Sequence, residues 1–146
     1  MKASQIYGTK IESADGKTKG YILGISCAED KIEGYICCNQ QENEFFAESA
    51  GVKFSEEKIT FTLTGKENKN CYRLRLGRAV YTESGKFVGN VEDFVFKGDR
   101  ITCALIGKRK YPFHRLVIGD AVILKSETDG LETTAKDMFI SAIISN

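Results

Sequence analysis

The chain repeats one pattern of glycines and apolar residues at an offset of 69 positions. After Gly8 the first copy reads TKIESADGKTKGYILGISCAEDKIEGYI, and after Gly77 the second reads RAVYTESGKFVGNVEDFVFKGDRITCAL. A repeat of this length predicts two structural units that fold in the same way. The matched glycines are Gly8 with Gly77, Gly16 with Gly85, and Gly20 with Gly89.

The residues around these glycines predict short β-strands joined by tight turns. Gly16 and Gly85 each end a two-residue hairpin signal, because glycine adopts the positive φ that such turns require. Gly20 and Gly89 fall inside strand patterns, where a glycine marks a bulge or the close approach of another backbone. Small barrels need such points to curl and close. We therefore expect an all-β chain made of two tandem small β-barrels.

Asp93 is a polar residue inside an apolar strand of the second copy. A buried carboxylate needs hydrogen-bond donors, so we expect Asp93 to accept backbone hydrogen bonds at the bulge near Gly89. A lone aspartate without a nucleophile or a second acid makes no catalytic mechanism. We interpret Asp93 as a structural residue.

The polar stretch GKENKN, residues 65–70, separates the two copies. We predict a first module over residues 1–66 and a second over residues 71–146, with an insertion in the first around Ala47 to Phe54. In the tail, residues 132–146, Thr134 and Asp137 favour a capped short helix, whereas β-branched residues favour a final strand. The sequence leaves open whether the modules form independent barrels or one pseudo-symmetric unit.

Composition and charge restrict the classes of function. A net charge of +1 over 146 residues predicts no strong attraction to nucleic acid or to an anionic membrane. No apolar run approaches the roughly 20 residues that span a bilayer, and the first residues lack the apolar core of a secretory signal, so we expect a cytoplasmic protein. The five cysteines are expected to be free thiols, and one histidine cannot build a multi-histidine zinc site. We predict no metal, cofactor or catalytic residue.

Basic residues concentrate in the second half, where residues 67–146 have a net charge of +3 against −2 for residues 1–66. The segment KRKYPFHR combines charge with aromatic rings that can stack on or anchor a ligand. One interpretation of this segment is a docking surface for a phosphate backbone or for an acidic protein. The other is a solvated loop. The candidate binding residues are Arg73, Arg75, Lys108, Arg109, Lys110, Tyr111, Phe113, His114 and Arg115.

The second copy resembles the opening of a PRC-barrel domain. In that family a glycine precedes a short strand ending in Val-Tyr, a turn with glycine follows, and Gly-x-Val-x-Asp then leads into an apolar strand. The first copy matches less well, because Gly24 and Glu12 stand where the motif has aspartate and tyrosine. The matching residues of the second copy are Gly77, Val80, Tyr81, Gly85, Gly89, Val91, Asp93 and Phe94.

The resemblance implies small β-barrel modules that bind other macromolecules. Members of the family include the cytoplasmic part of the photosynthetic reaction-centre H subunit, the C-terminal domain of a ribosome maturation factor, and stand-alone bacterial and archaeal proteins. The family has no shared catalytic residues to carry over. We therefore expect a non-enzymatic binding or adaptor protein that mediates protein–protein interaction, and a homodimer is compatible with this. The alternative is an RNA- or ribosome-associated processing factor that uses the basic residues of the second module.

Overall fold

In the computed structural model, which describes residues 1–126, the chain is mostly β, as expected. The strands up to the polar stretch are β1 (Lys10–Ser13), β2 (Lys19–Ala28), β3 (Lys31–Asn39), β4 (Glu44–Glu48), β5 (Val52–Phe54), β6 (Ile59–Phe61) and β7 (Thr64–Gly65). The strands after it are β8 (Tyr72–Arg73), β9 (Ala79–Thr82), β10 (Phe87–Lys97), β11 (Arg100–Ile106), β12 (Arg109–Pro112), β13 (Leu116–Ile118) and β14 (Val122–Leu124). Short 3-10 helices lie at Ala3–Gln5, Ser49–Gly51 and Phe113–Arg115. The predicted C-terminal helix or strand falls in residues 127–146, outside the described part.

The order of the strands is the same in each half of the sheet when it is followed outward from the middle. It is β3-β2-β1-β6-β5 in the first half and β11-β10-β9-β14-β13 in the second. In each half a hairpin gains a parallel partner: β6 lies beside β1 with Ile59 opposite Ile11, and β14 lies beside β9 with Val122 opposite Val80. The sheet is open rather than closed, and β5 and β13 are its two ends.

Glycines occupy the points where the two main hairpins turn and bend. Gly16 and Gly85 have φ angles of 76° and 89°, in the left-handed region that glycine enters without strain. Gly20 in β2 faces a neighbouring backbone, and a Cβ at this position would lie 2.1 Å from the carbonyl oxygen of Cys38 in β3. Gly89 lies where the register between β9 and β10 shifts. The sheet can therefore turn tightly and approach itself closely at these positions.

The segment that precedes each main hairpin is hydrogen-bonded to the other half of the molecule. We call residues 1–7 and 71–76 the two lead-in segments. In the first, the Ser4 N–H donates to the Asp93 carboxylate of β10 at 3.0 Å. In the second, the Leu74 N–H donates to the Ile25 carbonyl of β2 at 2.9 Å, and β8 pairs with β2. The lead-in segments are thus exchanged between the halves.

The halves also meet directly where β3 pairs with β11 in the middle of the sheet. The Ile32 N–H donates to the Asp99 carbonyl at 2.6 Å, and the Ile101 N–H donates to the Asp30 carbonyl at 2.8 Å. The Arg100 guanidinium lies 2.7 Å from the Asp30 carboxylate. One hydrophobic core runs through both halves. Its buried residues include Ile11, Ile22, Tyr35, Val80, Phe94 and Val122.

The extra length of the first half lies in the hairpin of β3 and β4. Eighteen positions separate Lys31 from Ser49, whereas thirteen separate the corresponding Arg100 from Phe113. Residues 47–54, where the sequence predicted the insertion, have the same succession of 3-10 helix and strand as residues 111–118. That prediction is wrong, because the five extra residues are two in β3, two in the turn that follows it and one in β4.

Candidate functional site

The structure separates the candidate basic residues into two groups. Arg73 lies on β8 beside β2, where its guanidinium contacts Glu67 at 2.9 Å and Glu44 at 3.3 Å. These two carboxylates offset its charge, so Arg73 belongs to the surface of the first half and not to the segment KRKYPFHR. Arg75 is exposed on the same lead-in segment.

The contacts of Arg73 explain the electrostatics of its partner Glu67. The hydrogen bond from Arg73 holds the pKa of the Glu67 carboxyl below its usual value, against the opposing effect of partial burial. The hydroxyl of Ser26, a fully buried residue of β2, also donates to this carboxylate at 2.6 Å. The cluster therefore fixes the polar stretch to β2, which is a structural role.

Lys108 in the β11–β12 turn and Arg109 and Lys110 at the start of β12 form an exposed basic cluster, which we call the basic turn. Among residues 1–126, β12 pairs with β11 alone, so its other edge lies beside these charges. Charged side chains on an edge strand discourage pairing with a further strand. The basic turn can meet an anionic surface from solvent, but the geometry does not by itself select a ligand.

The aromatic residues of the same segment are used in folding. Phe113 is only 7% exposed, and its ring packs edge-on against Phe94 with 6.1 Å between centroids. Tyr111 is half-buried under the Arg115 guanidinium, which lies 5.7 Å from the ring centroid and donates to the Lys125 carbonyl. The expectation of aromatic rings available for stacking is therefore corrected for Phe113, because the sheet needs this ring to cover its core.

A groove of about 590 Å³ lies at the junction of the two halves, and we call it the junction groove. One wall is the β2–β3 turn of the first half together with Tyr72, whose hydroxyl donates to the Glu29 carbonyl. The other wall is β11, the Phe113–Arg115 helix and β13. Val117 of β13 is 50% exposed there, next to the exposed His114. The groove offers an apolar floor with a polar rim.

A second groove, of about 370 Å³, occupies the corresponding place in the other half. One of its walls is the β10–β11 turn at Gly98 and Asp99, which corresponds to the β2–β3 turn of the junction groove. The other wall is formed by β3 and β5, which correspond to β11 and β13. This second groove carries more charge, because Lys31, Glu33 and Glu48 line it. The two grooves share a construction but differ in chemistry.

Sequence reasoning missed both grooves. Each groove is formed by a turn of one half and by strands of the other. These segments are far apart in the chain, so no local sequence pattern predicts that they meet. The local signals among the described residues are the exposed Val117 of the junction groove, between Leu116 and Ile118 in β13, and the exposed Phe54 of the second groove. Single exposed apolar residues are common on protein surfaces, so these signals do not identify a site.

Asp93 is 6% exposed and ties the first lead-in segment to β10. Its carboxylate accepts from the Ser4 N–H at 3.0 Å, from the Ser4 hydroxyl, and from its own neighbour Phe94 N–H at 2.9 Å. The donors to Asp93 are therefore Ser4 and Phe94, and not the backbone at the Gly89 bulge. Its contacts are with the fold and not with a cleft.

Two of the cysteines are too deeply buried to be reactive. Burial raises the pKa of the Cys37 thiol to about 12 and that of Cys27 further still. Thiolate is the reactive form, so both thiols stay inert at neutral pH.

Within residues 1–126, no three His, Cys, Asp or Glu side chains are grouped as a metal site would require. No helix in this part of the chain is long and apolar enough to cross a membrane.

Comparison with protein families finds a PRC-barrel domain at residues 73–138. The match begins in the second lead-in segment and includes every strand from β9 to β14, while its last twelve residues lie beyond the described part. The predicted resemblance of the second copy is confirmed over these residues, so the chain contains a PRC-barrel domain. No curated protein matches the chain.

Proposed function

We propose that the chain is a cytoplasmic, non-enzymatic binding or adaptor protein built from two PRC-barrel-like modules. The second module contains the matched domain at residues 73–138. The common strand order of the two halves supports a first module of the same kind, as do the parallel partner that each hairpin gains and the glycine turns at Gly16 and Gly85. On this proposal the sequence repeat is a tandem duplication of one module.

The partner is a protein segment that docks in the junction groove. The observation that carries this proposal is the exposed Val117 on the wall of a groove of about 590 Å³. Burying exposed apolar surface is the main favourable contribution in protein association. The groove also brings Glu29 to its rim, beside Asp30, whose carboxylate is paired with Arg100. It therefore suits a segment with an apolar side chain next to a basic residue.

Substituting Val117→Glu tests this proposal against a matched control, Leu63→Glu. Leu63 is 47% exposed and lies outside the groove, so both changes place a carboxylate at an equally exposed apolar position. Each variant, after a check that its thermal unfolding matches wild type, is used for affinity capture from a lysate of the source organism with quantitative mass spectrometry. A protein retained by wild type and Leu63→Glu but lost by Val117→Glu is the expected result. Equal capture of every protein by both variants would refute docking in the groove.

A second candidate function, an RNA- or ribosome-associated factor, is favoured by the basic turn alone. Lys108, Arg109 and Lys110 are all exposed beside a strand edge. If all three contact phosphates of single-stranded RNA, the logarithm of the binding constant should fall with the logarithm of salt concentration with a slope of about −2. Charge reversal at the three positions should remove that slope. Absence of binding at low salt would exclude this function.

A further inference from the structure

The first half has a cleft of about 320 Å³ on the outer face of β1, β2 and the start of β6, and it shares no lining residue with either groove or with the basic turn. We call it the lysine cleft. Its outward-facing polar side chains are Lys10, Glu12, Lys19, Tyr21, Gln40 and Lys58.

Strand register explains how these side chains come together. Lys10 of β1 lies opposite Tyr21 of β2, and Glu12 lies opposite Lys19. Residues directly opposite each other in an antiparallel pair share one face of the sheet, while the intervening Ile11 is buried in the core. The two-residue alternation therefore sorts lysines onto the outer face, in a half of the chain whose net charge is −2.

The lysine cleft has an excess of positive charge. Its one carboxylate, Glu12, lies 3.6 Å from the Lys58 ammonium. Within the described residues neither Lys10 nor Lys19 has an ion pair, so the three ammonium groups exceed the carboxylates by two. This excess of positive charge can attract an anion.

The fold itself does not require these charges. In the second half the pair at the corresponding place in β9 and β10 is Ala79 opposite Asn90, where the first half has Lys10 opposite Tyr21. The same hairpin therefore forms with small and uncharged residues at these positions. Lys10 is therefore available to a ligand.

Tyr21 indicates what kind of anion fits. Tyr21 is 46% exposed and lies opposite Lys10, and planar rings stack on exposed aromatic side chains. The Gln40 amide on the rim can both donate and accept hydrogen bonds. A volume of about 320 Å³ lies at the lower end of the ligand-site range of roughly 300–1,000 Å³. We propose that the lysine cleft binds a nucleotide, with phosphate against Lys10 and Lys19 and the base against Tyr21.

Calorimetric titration of the whole chain with ATP at low salt tests the proposal. Lys10→Gln/Lys19→Gln should weaken ATP binding by about tenfold or more, as expected for loss of a charge-assisted contact. The matched control Lys53→Gln/Lys97→Gln removes the same charge from exposed positions outside the cleft and should bind ATP as wild type does. No ATP binding by wild type, or equal loss in both double variants, would overturn the site.

Tyr21→Ala separates a nucleotide site from a site for phosphate alone. It should weaken ATP binding several-fold and leave tripolyphosphate binding unchanged, because only ATP has a base to stack. Equal affinity of wild type for the two compounds would overturn the nucleotide assignment. Because RNA binding through the basic turn depends on Lys108 to Lys110, failure here leaves that function, and docking in the junction groove, unaffected.

Discussion

Replacing Asp93 by alanine should release the first lead-in segment from β10 and destabilise the whole chain. The carboxylate is 6% exposed and receives both the N–H and the hydroxyl of Ser4, together with the N–H of Phe94. The two Ser4 bonds connect positions that are 89 residues apart in the chain. Asp93→Ala therefore removes a contact between the two halves, in addition to the local hydrogen bond from Phe94.

The magnitude follows from the number and the kind of these bonds. A hydrogen bond to a charged group contributes roughly 1.5–3 kcal/mol. Ser4 is exposed, so water can satisfy its donors after the substitution, and the lower end applies to each of the two bonds. Removing a buried carboxylate also relieves its desolvation cost, which reduces the sum. We expect the free energy of unfolding to fall by about 2–3 kcal/mol and the Tm by roughly 4–12 °C.

Urea unfolding followed by far-UV circular dichroism measures this loss, since the chain has no tryptophan. Ser4→Ala removes only the hydroxyl bond, and its double-mutant cycle with Asp93→Ala should give a coupling energy of about 1 kcal/mol. Hydrogen exchange adds a local test. The Phe96 amide, bonded to the Met1 carbonyl, should exchange faster in Asp93→Ala, whereas the Leu74 amide of the other lead-in segment should keep its protection relative to global unfolding.

Two results would refute this reasoning. A change of less than about 0.5 kcal/mol in Asp93→Ala would show that water replaces the carboxylate without cost. Additive effects of the two substitutions would show that the Ser4–Asp93 contact contributes nothing beyond its separate parts.

The remaining predictions concern backbone approach and pH. Gly20→Ala should destabilise by about 2 kcal/mol or more, because its Cβ would lie 2.1 Å from the Cys38 carbonyl oxygen. Gly24→Ala, in the same strand, should cost under about 1 kcal/mol, because its nearest neighbour would be 3.8 Å away; equal losses in urea unfolding would contradict the clash. Glu67→Gln should lower stability by up to about 1 kcal/mol near neutral pH. The Arg73 bond lowers the pKa of Glu67 in the folded state, so this contribution is present above the ordinary value of about 4.3 and disappears as pH falls through the folded-state value. Unfolding curves at about pH 7 and about pH 3 should therefore show a difference between wild type and variant that shrinks in acid, and a constant difference would count against the bond.

The features that the sequence predicted well are those encoded by a few neighbouring residues. The turns at Gly16 and Gly85 depend on one residue with positive φ between two strands, and the structure has φ values of 76° and 89° there. Their predicted length of two residues is wrong, because the connecting loops are residues 14–18 and 83–86. The β class likewise depends on alternation within each strand. The motif around Gly77 and Asp93 was long enough to reveal the resemblance to the domain at residues 73–138.

The features that the sequence did not predict are those formed by distant segments. Nothing near Ser4 signals that it will bond Asp93, and nothing near Leu74 signals Ile25. Residue type also misled the interpretation of Phe113, because a ring in a basic segment can serve the core as well as a ligand. The lysine cleft was not predicted because residues 1–66 have a net negative charge. Only the strand register shows that Lys10 and Lys19 lie on one face of the sheet.

The exchange of the lead-in segments has a consequence for how the two halves work together. Each half holds the lead-in segment of the other, and β3 joins β11 across the middle of the sheet. The junction groove is bounded by Glu29 and Asp30 from one half and by Val117 from the other. A single half therefore lacks one wall of it. If the partner docks there, binding should require both halves held in this arrangement, and loosening Asp93 should weaken binding at a groove that Asp93 does not line.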